Sequence, residues 1–259
     1  MTSEAPKATQ TLTLPPAWGN PNLMPNTQTL VIFDCDGTLV DSQHAIVASM
    51  AHAYATVGLP CPPRDKVLSI VGLSLPECFE VLSPEQDLAT RTELAALYKN
   101  GNVWKTAADR IHDPLYEGAH ALVSALAQRE DVVLGVATGK SRRGVARLVE
   151  REGWHGHFVT IQTADDHPSK PHPSMILQAM AETGVAPHRT LMIGDTAYDM
   201  QMARNAEVTA IGVTWGYHAH GQLVEAGAHG IAHSFAELSR HIEELQSGKP
   251  PGRQARMET

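Results

Sequence analysis

Thr29-Leu30-Val31-Ile32-Phe33-Asp34-Cys35-Asp36-Gly37-Thr38-Leu39-Val40-Asp41 is the stretch that decides how the rest of the chain is read. Leu30 to Phe33 form an unbroken apolar run rich in β-branched and aromatic side chains, the pattern of a strand buried on both faces of a parallel sheet. Asp34 falls at its carboxyl end. In open α/β sheets that edge borders the ligand crevice, so a carboxylate there is expected to face the opening and not the core. Asp36 follows past Cys35, and Gly37 permits the turn that brings both acids to one mouth. Two acids this close disfavour joint ionisation unless a cation lies between them or one keeps its proton. Mg²⁺, which takes one or two carboxylates, waters and phosphate oxygens, suits such a pair. Asp-x-Asp-Gly also occurs in plain turns and in calcium loops. The rest of the calcium-loop template, with its glutamate, does not follow here, so calcium is the weaker reading.

Working outward, the chain of 259 residues, 42% hydrophobic and 19% charged, is long enough for one large globular domain or two modest ones. A formal net charge of -8 argues against nucleic acid or an anionic membrane as the main partner and favours a small molecule. Cys35, Cys61 and Cys78 form no CxxC pair, which gives no zinc spacing and fits a reducing, cytoplasmic setting. Residues 1–27 carry Pro6, Pro15, Pro16, Pro21 and Pro25 without a long apolar segment. They are expected to be neither a secretory signal nor a membrane span, but an extension that is disordered or wraps the surface.

After Asp41, Ile46, Val47, Met50, Ala53, Tyr54 and Val57 recur at helical spacing, with Ser42 as a candidate N-cap and Gly58 as a stop. Further helical patterns over 64–70, 75–82 and 86–100 make 42–113 an all-helical insertion. From Gly118 helix and strand alternate: helix 119–128, strand 132–137, helix 141–152, strand 158–162, helix 174–183, strand 190–193, helix 200–205, strand 208–213. The short connections predict an α/β fold, a doubly wound parallel sheet covered by helices on both faces, with 28–41 and 114–247 as its core. Phe235 to Leu245 reads as a closing helix, and 248–259 as a polar tail.

Three more strand ends bear on the first. Val132 to Ala137 runs into Thr138-Gly139-Lys140-Ser141, which places a hydroxyl and free N–H groups where an anion would dock; an ordinary helix N-cap is the plainer account of Thr138. A nucleotide P-loop fails there, because three residues and not four separate Gly135 from Gly139. Lys170 lies in Pro168-Ser169-Lys170-Pro171-His172-Pro173, where the prolines fix the direction of one ammonium; His167 and His172 read as solvated loop residues. Thr190 to Ile193 ends on Gly194-Asp195, with Asp199 four residues further on. Asp195 completes an acidic cluster, and Asp199 is placed to orient a metal's water or to pair with Lys170. Both acids also complement a helix N-terminus.

Asp34-Cys35-Asp36-Gly37-Thr38-Leu39, Thr138, Lys170 and Gly194-Asp195 with Asp199 resemble, in order and spacing, the four motifs of the haloacid dehalogenase superfamily. The helical insertion resembles that family's small C1 cap, and Gly212-Val213-Thr214-Trp215-Gly216 resembles a loop of phosphoglycolate-phosphatase-like members. The resemblance implies a Rossmann-like core and a phosphatase of small phosphorylated metabolites, phosphoglycolate first. Asp34 would be the nucleophile, and Asp36 the acid and then the base. Asp34, the main-chain carbonyl of Asp36 and Asp195 would bind Mg²⁺, with Asp199 behind them. Gly37, Thr138, Gly139 and Lys170 would hold the phosphoryl oxygens. Asp36 disfavours a dehalogenase, whose halide leaves without a proton. No motif singles out Lys66, Lys99 or Lys105 as a Schiff-base lysine. A β-phosphoglucomutase-like phosphotransferase, a pyrophosphatase and a catalytically idle phosphometabolite-binding regulator remain as alternatives. Selectivity is expected in the cap, where Gly72 lets the loop Ile70 to Ser74 bend towards the crevice, and the chain is expected to be a monomer or homodimer.

Overall fold

In the computed structural model the described residues are 27–100 and 113–249. The expected N-terminal extension up to residue 26, residues 101–112 of the insertion and the tail from 250 onward lie outside them.

Six strands, β1 (Thr29–Phe33), β2 (Val132–Thr138), β3 (Phe158–Thr163), β4 (Thr190–Gly194), β5 (Thr209–Val213) and β6 (Gly230–Ala232), form one sheet in the order β3-β2-β1-β4-β5-β6. All five pairings are parallel. Every residue of β1 is buried, which explains why its apolar run does not alternate. Its side chains still divide by parity: Val31 and Phe33 pack on one face, Leu30 and Ile32 on the other. The first face is covered by α5 (Ala119–Ala127), α6 (Arg142–Glu152) and α10 (Phe235–Gln246), through Val123, Val145, Leu148, Leu238 and Ile242. The second is covered by α7 (Ser174–Thr183), α8 (Ala197–Asn205) and α9 (His220–Glu225), through Ile176, Met180, Met200, Ala203 and Leu223. This is the doubly wound α/β architecture.

Between β1 and α5 come α1 (Gln43–Thr56), α2 (Arg64–Ser69), α3 (Leu75–Leu82) and α4 (Leu88–Asn100). They bury a core of their own around Met50, Tyr54, Val67, Phe79 and Leu94, separate from the two sheet faces. No helix among the described residues is long and apolar enough to cross a membrane.

The helices and strands depart from the sequence reading in several places. Helix α8 starts at Ala197, three residues before the expected Met200, because Thr196 and Asp199 form a reciprocal capping box. Helix α9 and strand β6 were not expected: six polar-rich residues and three edge residues are too short to show a period. Ser42 occupies the N-cap of α1 but makes no side-chain cap there.

Candidate active site

The strand order reverses at β1, which has β2 on one side and β4 on the other. In doubly wound sheets the crevice opens at the carboxyl ends of the strands flanking that reversal. Asp34 leaves β1 there, its N–H donating to Ile193 O of β4 at 2.9 Å, and Asp195 leaves β4 beside it. The turn that follows folds tightly on Cys35, whose carbonyl accepts from the N–H groups of Thr38, Leu39 and Val40. Gly37 sits at φ +88°, and a Cβ there would stand 2.2 Å from Asp195 Oδ2. Only glycine provides both the left-handed backbone and that approach.

Asp195 is fully buried and held at both oxygens: the Thr38 hydroxyl donates to Oδ1 at 2.9 Å and the Tyr217 N–H to Oδ2 at 2.9 Å. Asp199 is equally buried; its Oδ2 accepts from the Thr196 N–H at 3.1 Å and hydroxyl at 2.7 Å. The Lys170 ammonium donates to Asp199 Oδ1 at 2.6 Å and lies 3.1 Å from Asp34 Oδ1. At the latter distance the two attract as ions, yet among the described residues Asp34 Oδ1 is a buried oxygen that accepts no hydrogen bond. Of the two placements read for Asp199, the structure has it in contact with Lys170.

Asp34, Asp195 and Asp199 each bring a carboxylate oxygen within 4.8 Å of the others. Burial pushes the Asp34 carboxyl up to about 6, the Lys170 cation opposing and Asp199 adding to the rise. Burial, then Asp199 and Asp34, drives Asp195 well above the usual carboxylate range. Burial alone lowers the Lys170 ammonium, but Asp199 and Asp34 outweigh it and hold it above its ordinary value. Acids raised by crowding and burial, with one oxygen unbonded, are the donor set a hard divalent cation satisfies. Asp195 and Asp199 each have both oxygens hydrogen-bonded, which leaves Asp34 Oδ1 as the oxygen of the three acids with most capacity for it among the described residues.

Thr138 ends β2 as a buried residue, with Oγ1 accepting from the Lys140 N–H at 3.2 Å. It does not cap α6; Ser141 does, by accepting from the Gly144 N–H. Gly139 meets the cap: a Cβ on it would lie 2.8 Å from the Gly72 carbonyl oxygen. Gly72, at φ +104°, thus lies on a loop that touches the end of β2. The carboxylate of Asp36 is not part of the acidic triad but bonds Lys140 and Ser42 through Oδ1. His167 departs from expectation. It is half-buried, its ring nitrogens 2.8 Å from Ser174 Oγ and 2.8 Å from Gln162 Oε1, and so is no solvated loop residue.

Residues 31–213 match the family model of haloacid dehalogenase-like hydrolases. The chain belongs to this family. Probable phosphatase IndB of Dickeya dadantii is 35% identical to this hydrolase over 216 residues, 81% of this chain and 91% of that protein. The phosphoglycolate phosphatase of Agrobacterium fabrum is 31% identical over 215 residues, 81% of this chain and 90% of that one. The crystal structure of a predicted phosphatase from Clostridium acetobutylicum superposes with a TM-score of 0.74 at 28% identity, covering 84% of this chain and 99% of that one. Family membership and the buried acid–lysine cluster make the hydrolase a phosphatase.

Several residues at the mouth escaped the sequence reading. Thr196 carried a signal, since Thr-x-x-Asp is a capping-box pattern. Gly216, read only as part of the loop Gly212 to Gly216, has a further reason: a Cβ there would fall 2.2 Å from that of Asp195, a close approach of the kind an isolated glycine marks. Tyr217 acts on Asp195 through its backbone N–H, for which side-chain identity gives no clue.

Proposed function

We propose that this hydrolase removes the phosphoryl group from a small phosphorylated metabolite through an aspartyl-phosphate on Asp34, with phosphoglycolate the first candidate. The observation that carries the reading is the buried Asp34 Oδ1, paired ionically with Lys170 and accepting no hydrogen bond among the described residues, at the reversal of strand order. A carboxylate oxygen of Asp34 attacks phosphorus as the ester P–O bond breaks, and Asp36 gives its proton to the departing alkoxide. Asp36 then takes a proton from the water that attacks the same phosphorus, releasing inorganic phosphate and restoring Asp34. Lys170, the Thr138 hydroxyl and the N–H groups around Gly37 and Gly139 bind the phosphoryl oxygens whose charge shifts in the transition state. Mg²⁺, held by Asp34, the Asp36 carbonyl and Asp195, would supply charge neutralisation between the anionic ester and the anionic nucleophile. Asp199 holds Lys170 in place.

Residues 42–113 act as a cap that excludes water and meets the organic part of the substrate, with Gly72 in the contacting loop. Phosphoglycolate is preferred because the Agrobacterium fabrum relative bears that activity in its name. The free cysteines suit a cytoplasmic protein, acting as a monomer or homodimer.

The test is a panel of phosphate esters, including phosphoglycolate, hexose phosphates and pyrophosphate, assayed with Mg²⁺ and with chelator. Turnover of a monoester that chelator stops and Asp34→Asn abolishes is the expected result. Undiminished turnover by Asp34→Asn would overturn the covalent route. A product retaining its phosphate on another position of a hexose would point to a phosphotransferase instead.

A further inference from the structure

Lys140 directly follows Thr138 and Gly139 in sequence, but its side chain turns to Asp36. Its Nζ donates to Asp36 Oδ1 at 2.6 Å, and neither side chain is more than one-fifth exposed. The Ser42 hydroxyl donates to the same oxygen at 2.6 Å, 3.1 Å from the Tyr217 hydroxyl. Ser42 thereby forgoes the capping bond that its place at the start of α1 offers. Both donors converge on Oδ1, and among the described residues none bonds Oδ2.

The stem of Lys140 crosses the first turn of α6 at Gly144. A Cβ on Gly144 would lie 2.8 Å from Lys140 Cγ, 3.3 Å from Cδ and 3.2 Å from Cε. Gly144 is helical and its φ is not left-handed, so no turn calls for glycine; alanine would favour the helix. The missing side chain leaves the space in which the lysine lies.

We propose that Lys140, seated across Gly144, is a positioning residue for Asp36: it fixes the carboxyl through Oδ1 and leaves Oδ2 to carry the proton to the leaving group. The inference rests on Asp36 being the proton donor of the proposed reaction. With Oδ1 taken as acceptor by both donors, Oδ2 is the oxygen left for the proton.

The leaving group separates this role from a merely structural one. Dinitrophenolate departs without a proton, whereas an alkoxide needs one. The measurement is kcat/KM, which covers leaving-group departure, on 2,4-dinitrophenyl phosphate and on the alkyl phosphate of the panel that the wild type turns over fastest. Lys140→Met is expected to lose about 10²-fold on the alkyl ester and less than about threefold on the dinitrophenyl ester. Lys140→Arg should recover part of the loss. Gly144→Ala retains the charge and improves the helix, so it carries the test should Lys140→Met fold poorly. It is expected to show the same selectivity with an unchanged or higher melting temperature. Asp36→Asn is the reference. If Asp36→Asn is selective while Lys140→Met and Gly144→Ala lose evenly on both esters, or not at all, the positioning role is overturned and the acid role stands. If Asp36→Asn itself loses evenly, the acid role fails and the inference with it.

Discussion

Asp34, Lys170, Asp195 and Asp199 are each at most 1% exposed, and glycines stand wherever a side chain would strike them: a Cβ on Gly37 or Gly216 would overlap Asp195, and one on Gly194 would overlap Asp199. The cap loop opposite them is held far more lightly. The Ser74 N–H donates to Ser169 Oγ at 2.8 Å, and the Ser69 carbonyl meets His218 Nε2 at 3.1 Å and the Tyr198 hydroxyl at 3.4 Å. Further out, Lys99 of α4 pairs with Asp165 of the core at 2.8 Å, an exposed ion pair of the kind worth about 1 kcal/mol or less. The difference separates chemistry from choice. The strand ends are packed without spare room, while the loop above them is where the proposed choice of substrate would be made.

The sharpest way to break that contrast is to remove the nucleophile while keeping the packing. Asp34→Asn is nearly isosteric, so turnover is expected to fall by at least about 10³-fold. Stability should hold or rise at pH 7, since burial already disfavours the charge that the amide removes. Unfolding of this variant would show that the charge organises the core, and the core could not then be called a fixed platform. Lys170→Met strikes the same region from the cationic side. Two buried carboxylates would lose their partner, at a cost of about 3–5 kcal/mol, read as a lower denaturant midpoint. An unchanged midpoint would mean that the pairs are not formed in solution.

How far the sequence spoke follows the same divide. Strand ends are legible because a buried parallel strand is an unbroken apolar run, and the first polar residue after it must lie at the crevice edge; Asp34, Thr138 and Asp195 were all placed by that rule. Lys170 was found through its prolines, although its partner Asp199 lies 29 positions along the chain. Lys140 had no such marker. Its meeting with Asp36 spans 104 positions, and the sole trace of it was a glycine inside a helix. Strand β6 and helix α9 were missed because packing against β5 and α8, not local periodicity, forms them.

Metal and pH sharpen the comparison further. The Asp34 carboxyl titrates near 3.8 in the unfolded chain and near 6 when folded without metal. Between those values the folded state holds a proton that the unfolded one has lost, so stability falls as pH rises from about 4 to about 6. A divalent cation competes for that proton. Mg²⁺ is therefore expected to raise the melting temperature more at pH 8 than at pH 5. At a hundred times its dissociation constant the gain is about 2.7 kcal/mol, several degrees for a chain of this size. Equal shifts at both pH values would remove Asp34 from the metal site.

The smallest effect belongs to the cap. Gly72 lies at φ +104° with the position of a Cβ 3.3 Å from Thr196 Oγ1, so Gly72→Ala requires the loop to shift by a few tenths of an ångström and adds backbone strain. Because the loop is tied to the core by few bonds, that strain should be relieved by moving the loop and not the strand ends. Relative kcat/KM among esters differing in their organic part is then expected to change by about tenfold, the scale of one methyl group in a pocket. Mg²⁺ affinity should stay the same. The position is discriminating because Thr196 also caps α8 and bonds Asp199. If the new methyl group pushed on Thr196 and not on its own loop, all esters would lose together and metal affinity would fall with them. Such a result would place Gly72 among the glycines that fit the acidic cluster, and the loop would belong to the rigid side of the mouth.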